Sequence, residues 1–250
     1  MQYGICNLSI VPLRQNPDDT SEMVTQLLYG DHFKVLEQRK FWSKIRIAFD
    51  TIEGWVDNKQ FTIISEADYF QTENVSETRL SSDLVSFISP SNNSLMPIVA
   101  GSSIQNTGVL NHIFDGHQIQ GVQAKEKLIH TALLYLNSPF LQGGKSPFGI
   151  DAPGLTQMVY KTNGYQLLRT AQDQSKQGEA LSFIEESEAG DLAFFDDSNG
   201  IIDHVGIIMQ DNYIIHAFGN VRIDRIDHTG IFNTELKNYT HKLRVIKKII

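Results

Sequence analysis

Two histidines and one loop carry the residues whose types and spacing suggest catalysis. His204 opens the apolar run His204-Val205-Gly206-Ile207-Ile208-Met209, and His216 lies in Tyr213-Ile214-Ile215-His216-Ala217. Gln210-Asp211-Asn212 between them is a turn signal, so the two runs read as strands of a hairpin. Both positions have the same parity, which puts both imidazoles on one face. They stand directly opposite if the turn centres on Gln210, and diagonal if it centres on Asp211. One ring then takes a proton while the other fixes its tautomer, the base-and-orienter half of a Cys-His pair. By spacing alone, two ordinary strand histidines are the better fit.

The loop is Pro139 to Gly154, punctuated by glycines and followed by an amphipathic segment, Leu155 to Asn163. Leu155, Met158, Val159 and Thr162 recur at three- and four-residue steps, which predicts a helix. Asp151 is placed to cap it, and Pro153 fits the first turn because its missing N–H has no intrahelical partner there. A helix N-terminus stabilises a thiolate and later an oxyanion. The residue delivered to that point is Ala152, which has no nucleophilic atom.

The remaining histidines, His32, His112, His117, His130, His228 and His241, show no ligand spacing. With no cysteine pair and no His-Glu-x-x-His, no metal site is expected. Gly143-Gly144-Lys145-Ser146 lacks the first glycine of a phosphate loop and reads as a turn. The one cysteine, Cys6, cannot form an internal disulfide and reads as a small buried hydrophobe near a first strand.

The elements that must position these residues follow from the patterning. Residues from Tyr3 to about Phe61 read as all-β: Ile45, Ile47 and Phe49 alternate with Lys44, Arg46 and Ala48. Turns are marked by Asp18-Asp19, Tyr29-Gly30-Asp31 and Thr51-Ile52-Glu53-Gly54. Ile64 to Thr78 is polar and reads as a linker wrapping the surface. A second β-like block holds Leu84 to Ile88, a Pro90-Ser91-Asn92-Asn93 turn, and Met96 to Gly101. From Gln123 the period changes, and Ala124, Leu128, Ala132 and Leu136 with Ile129 and Leu133 predict an amphipathic helix. Strands follow at Asp191–Phe195, His204–Met209, Tyr213–Ala217 and Leu243–Ile246. Helices first and then an antiparallel meander is an α+β order.

A net charge of −8 and a pI near 5.4 speak against phosphate-backbone binding, so no nucleic-acid partner is expected. Arg244 to Lys248, the basic run, reads as an edge strand with solvated lysines. No run of eighteen apolar residues exists, so no membrane span is expected. Met1-Gln2-Tyr3-Gly4 has neither a basic nor an apolar leader region, which points to a cytoplasmic location.

Gly143 to Tyr160 resembles the active-site segment of NlpC-type cell-wall peptidases, where Trp-Gly-Gly is followed by Asp-Cys-Ser-Gly and an apolar helix. Val11 to Arg14, Gly30-Asp31, Phe33 to Leu36 and Gly54-Trp55-Val56 resemble a bacterial SH3 domain, with Trp55 as a core or groove aromatic. The resemblance implies a papain-like NlpC-type domain at 123–250 behind one or two small all-β SH3-like barrels. An SH3-like domain would occupy 1–63, and a linker with a second SH3-like block 64–122. It implies a parent activity without cofactor, hydrolysis of the γ-D-Glu–diamino acid bond of murein peptides, as in intracellular recycling. His204 would be the base and His216 the orienter.

Departures from the family pattern fall on the cleft. Ala152 stands at the cysteine position and Pro153 at the serine after it, Phe140 at a tyrosine and Gln142 at a tryptophan. Arg169-Thr170-Ala171-Gln172 aligns with Arg-Asp-Ala-Ser, where the Asp holds an N-terminal amino group, and Phe218 stands at a serine. These departures imply a scaffold inactive as a peptidase, and a monomer is expected. Its pocket, whether drifted or deliberately redesigned, would bind a small peptide or small molecule. An alternative uses His204 as general base on, or simply as part of a site for, a planar apolar compound. Confinement of the changes to the cleft favours redesign.

Overall fold

The computed structural model describes residues 1–90 and 94–250, in two compact units, Met1–Val122 and Gln123–Ile250. Residues 91–93 of the expected turn at Pro90 lie outside the described residues.

In the first unit, β1 (Gln2–Ile5), β2 (Ile10–Arg14), β3 (Met23–Leu28), β4 (His32–Gln38), β5 (Trp42–Ile47), β6 (Glu53–Asp57) and β7 (Thr62–Ile64) form one antiparallel sheet. Its order is β3-β2-β6-β5-β4-β1-β7. Period-two alternation does the sorting: Ile45 and Ile47 enter the core with Val11, Leu13, Leu27, Phe33 and Val56. Lys44 and Arg46, on the other face, both pair with Glu53. Cys6 is buried in this core. Trp55 is also buried, with the Arg39 guanidinium 4.3 Å from its ring centre.

The linker reading is corrected by α1 (Glu66–Glu73), which Ser65 caps by accepting from the Asp68 N–H at 3.0 Å. Tyr69 and Thr72 are buried, and Tyr69 packs on Tyr3 with ring centres 4.4 Å apart. A helix with two buried positions in eight leaves almost no hydrophobic period to read. Beyond it come β8 (Arg79–Ser81), β9 (Val85–Ser89), β10 (Met96–Val99), α2 (Thr107–Leu110), β11 (Ile113–Phe114) and β12 (Gln118–Gln120). These make two small sheets, β10-β9-β11 and β12-β8. Asn106 and Ser103 tie them to the first sheet by bonding to the carbonyls of Gly30 and Tyr29 at 2.7 and 2.8 Å. Gly30 is indispensable there, because its φ is +80° and a Cβ would overlap the Ser103 carbonyl oxygen.

The second unit begins with α3 (Lys127–Leu134), which is shorter than expected: Leu128 and Ala132 are buried, whereas Ala124, Leu133 and Leu136 are exposed. The hairpin β13 (Lys145–Ser146) and β14 (Gly149–Ile150) leads into α4 (Ala152–Thr162), and α5 (Ala171–Gln174) follows. Then come β15 (Glu179–Leu181), β16 (Leu192–Asp196), β17 (Ile202–Ile208), β18 (Tyr213–Phe218), β19 (Asn220–Ile226), β20 (Gly230–Asn233) and β21 (Asn238–Lys248).

The sheet runs β15-β21-β16-β17-β18-β19-β20, and β20 also pairs with β21, so six strands close into a ring. Closure depends on β21, whose first half pairs with β20 and second half with β16. Register shifts at Phe194/Phe195 and Ile231/Phe232 let the strand bend between its partners. The basic C-terminal run is thus an interior strand, not an edge, because short β15 covers its outer side. Phe195, Ile208, Ile214, Ile226, Ile231 and Ile246 form the apolar core of this sheet. Helix α4 packs against β17 and β18 and is buried nearly all round, not only on its apolar stripe. Part of its polar face is satisfied internally: Thr156 Oγ1 donates to Gln174 Oε1 at 2.8 Å, and Gln157 Nε2 donates to the Leu167 carbonyl at 3.0 Å.

Candidate active site

The β17–β18 register pairs Gly206 with His216 and Ile208 with Ile214, so the turn centres on Asp211 and the two histidines are diagonal. Asp211 and Asn212 both have positive φ, 58° and 60°, which these residue types tolerate. Gly206 faces His216, and a Cβ there would lie 3.0 Å from the His216 Cβ and 2.7 Å from Ile214 Cδ1. The diagonal leaves room for direct contact, and His204 Nε2 is 2.8 Å from His216 Nδ1.

Behind His216 stands a residue that the sequence reading missed. Asp224 Oδ2 is 3.1 Å from His216 Nε2, and Arg222 donates to both Asp224 oxygens at 2.7 and 3.2 Å. Burial works to raise the Asp224 carboxyl, but the bonds from His216 and Arg222 prevail and hold it below the usual range. An ionised Asp224 accepts from His216 Nε2–H. His216 Nδ1 must then accept from His204 Nε2–H, which leaves the His204 Nδ1 lone pair as the basic position. The signal for Asp224 was present in Asn220-Val221-Arg222-Ile223-Asp224-Arg225-Ile226, an alternating run after the turn at Gly219.

His241, which shows no ligand spacing in the sequence, is brought beside His204 by the fold. Strand β16 lies between β17 and β21, so Phe195 underlies His204 and His241 at centroid distances of 5.8 and 6.0 Å. The two imidazoles stack above it with centres 3.9 Å apart and planes at 20°. Ring nitrogens of His204, His216 and His241 all lie within 4.8 Å of one another. Burial lowers all three histidines: His204 well below its ordinary value, with His216 and His241 adding to the effect, and His241 to about 4. For His216 the Asp224 carboxylate opposes that shift without cancelling it. All three rings are neutral at pH 7.

The predicted helix cap is in place. Asp151 Oδ1 accepts from Gly154 N–H and Oδ2 from Gly143 N–H, both at 2.7 Å, while Arg169 pairs with Oδ2 at 2.8 Å. Asp151 and Arg169, both expected to face a ligand, are instead buried partners that fix the start of α4. Gly154 is required because a Cβ would overlap the Gly144 carbonyl oxygen. Ala152 occupies the first helical position, with Pro153 beside it, whose carbonyl accepts from Gln174 Nε2 at 2.9 Å.

The preceding loop is stitched to the end of β18. Phe140 N–H donates to the Gly219 carbonyl at 3.0 Å, and Ile150 N–H donates to the Pro139 carbonyl at 3.0 Å. Phe140 and Phe218 are thereby neighbours along the backbone pairing, 42% and 38% exposed. Phe218 lies parallel to His216 at 6.5 Å and edge-on to His241 at 5.0 Å. Gln142, Thr170 and Gln172 are exposed, and Thr170 caps α5 by accepting from the Asp173 N–H at 3.1 Å. Gly143 to Ser146 leads into a β-hairpin, as the turn reading expects.

A closed antiparallel ring with a buried helix against it, a His-His-Asp relay on its strands and a capped helix N-terminus define a papain-like α+β peptidase scaffold. Residues 137–240 match the NlpC/P60 family, and residues 13–61 match the bacterial dipeptidyl-peptidase SH3 domain. The chain carries an NlpC/P60 domain with an N-terminal bacterial SH3 domain and is homologous to γ-D-glutamyl-L-lysine dipeptidyl-peptidases. One such enzyme from Bacillus cereus is 26% identical over 230 residues, covering 80% of this chain and 68% of the relative. Dipeptidyl-peptidase 6 of Lysinibacillus sphaericus is 25% identical over 82% of this chain and 83% of its own length. A γ-D-glutamyl-L-lysine dipeptidyl-peptidase of Bacillus subtilis is 37% identical, but over 94 residues that span only 31% of it. A crystal structure of an NlpC/P60 family protein from Bacillus cereus shares the fold, with a TM-score of 0.79, 18% identity and 99% of both chains covered.

Proposed function

We propose that this protein binds γ-D-glutamyl peptides of peptidoglycan and does not cleave them by cysteine chemistry. The relatives' substrates, in the words of their names, supply the ligand class. The observation that carries the reading is a His204–His216–Asp224 relay kept intact in a domain whose capped helix begins with Ala152. The chain's one cysteine is Cys6, buried in the other unit's core, so no thiol is available to this domain. In typical triads, removal of the nucleophile lowers turnover by about a million-fold.

The test is restoration. Ala152→Cys with Pro153→Ser, assayed on L-Ala-γ-D-Glu-L-Lys, gains hydrolysis by at least about a thousand-fold over the unaltered chain. The unaltered chain binds the tripeptide in a calorimetric titration without releasing L-Lys. Cleavage by the unaltered chain refutes the loss of activity, and absence of heat at millimolar tripeptide refutes the ligand class.

A second reading rests on one observation, half-exposed Phe218 beside the imidazoles, with exposed Phe140 next to it on the backbone pairing. A pocket remodelled by reassignment or design would hold a planar apolar compound between these rings, with His204 Nδ1 as general base. Identical rates in a His204→Ala variant reject that use of the ring.

A further inference from the structure

We propose that His204, His216 and His241 form a binding site for one divalent transition ion of the zinc class. The proposal rests on the histidine cluster alone and does not depend on the peptide reading.

The ring nitrogens fall within 4.8 Å of one another, whereas three imidazoles around a tetrahedral zinc at about 2.0–2.1 Å stand roughly 3.3 Å apart. To reach that spacing the His204–His216 pair, now 2.8 Å apart, has to open, and the stacked His204 and His241 rings have to turn towards a common point. The rings come from β17, β18 and β21, whose relative positions are set by the closed sheet through β16. Imidazole is a ligand through a deprotonated ring nitrogen, which His241 offers at Nε2 and which His204 and His216 now share in one hydrogen bond.

Around the rings, hydrogen bonds resemble those that orient metal-bound histidines. Asp224 accepts from His216 Nε2, directing Nδ1 into the cluster and raising its basicity. His241 Nδ1 is 2.9 Å from Thr240 Oγ1, which leaves Nε2 for a ligand. His216 Nδ1 now accepts from His204 Nε2, and the ion would take the place of that proton, which would move to His204 Nδ1. His241 is half-buried, so the cluster has an opening to solvent. Among the described residues no fourth protein donor joins the three imidazoles, so the fourth position would fall to water, the arrangement that lowers the pKa of a bound water towards 7. Imidazole donors favour zinc, copper or nickel over calcium or magnesium.

The experiment uses the tag-free full chain, stripped with a chelator and titrated with zinc chloride by calorimetry. Cobalt(II) serves as a spectroscopic probe. The expected result is one ion per chain at a Kd of about 1 μM or tighter, with the visible absorption of tetrahedral cobalt. His241→Phe, which keeps a stacked ring, weakens binding by about 100-fold or more, and Asp224→Asn by about 10- to 100-fold. Binding no tighter than about 100 μM, or unchanged affinity in His241→Phe, overturns the site and assigns any bound ion to surface histidines. If His241→Phe loses its native circular dichroism, His241→Gln is measured in its place, and unchanged affinity there overturns the site equally.

Discussion

A carboxylate beneath a histidine decides which ring nitrogen carries the proton, and here one buried carboxylate orders two rings. Asp224 holds His216, His216 holds His204, and the only base position left is His204 Nδ1. An asparagine at 224 can donate as well as accept, so it permits the opposite tautomer in both rings. Added to the Ala152→Cys, Pro153→Ser double variant, Asp224→Asn should lower turnover on L-Ala-γ-D-Glu-L-Lys by about a hundred- to ten-thousand-fold. Circular dichroism should stay native, separating lost orientation from lost folding. Because burial depresses His204, that ring stays neutral below its ordinary pKa of 6.5. The acid limb of the double variant's kcat/KM profile should therefore fall below pH 6.5, and a limb at or above 6.5 contradicts the burial argument.

At the scale of elements, helix α4 is anchored by charge where its surroundings are dry. Asp151 and Arg169 are each about 3% exposed, and removing one partner strands the other in the interior. Arg169→Met should cost roughly 3–5 kcal/mol in urea denaturation, far above an exposed pair. A cost under about 1 kcal/mol would mean that water reaches the site. On the hairpin, Gly206→Ala puts a methyl group against Ile214 and the His216 Cβ. Overpacking of this kind costs about 1–3 kcal/mol and should displace His216, visible as altered imidazole NMR shifts.

For the whole molecule, acid acts unequally on the two units. His204, His216 and His241 all belong to Gln123–Ile250 and all have depressed folded-state pKa values. Between 6.5 and the folded values, the unfolded chain binds more protons than the native one. Stability from this cluster is therefore full above pH 6.5 and is lost as pH falls. His241 alone, at about 4 against 6.5, accounts for up to about 3 kcal/mol, less whatever solvent screening removes at this half-buried ring. Thermal unfolding in chelator should show the C-terminal unit melting first at about pH 5, with its near-UV signal lost ahead of the Trp42 and Trp55 fluorescence of the first unit. Coincident loss at that pH contradicts this.

Local chemistry was legible in the sequence wherever a residue's neighbours in the chain decide its state. Parity placed His204 and His216 on one face, and short-range capping rules placed Asp151 at the start of α4. The motif around Ala152 and the SH3-like turns led to the family, because close backbone approaches at Gly154 and Gly30 permit few sequences. What the chain order could not disclose depends on strands meeting far from their sequence neighbours. Asp224 reaches His216 through the β18–β19 pairing, and His241 reaches His204 because β21 closes the ring beside β16. The same closure set between two strands a basic run that reads as an edge, and the packing of α4 against two strands hid its polar face. Hydrophobic periodicity reports one buried face at a time, so a ring that covers both sides of a strand, or all sides of a helix, is decided only by tertiary structure.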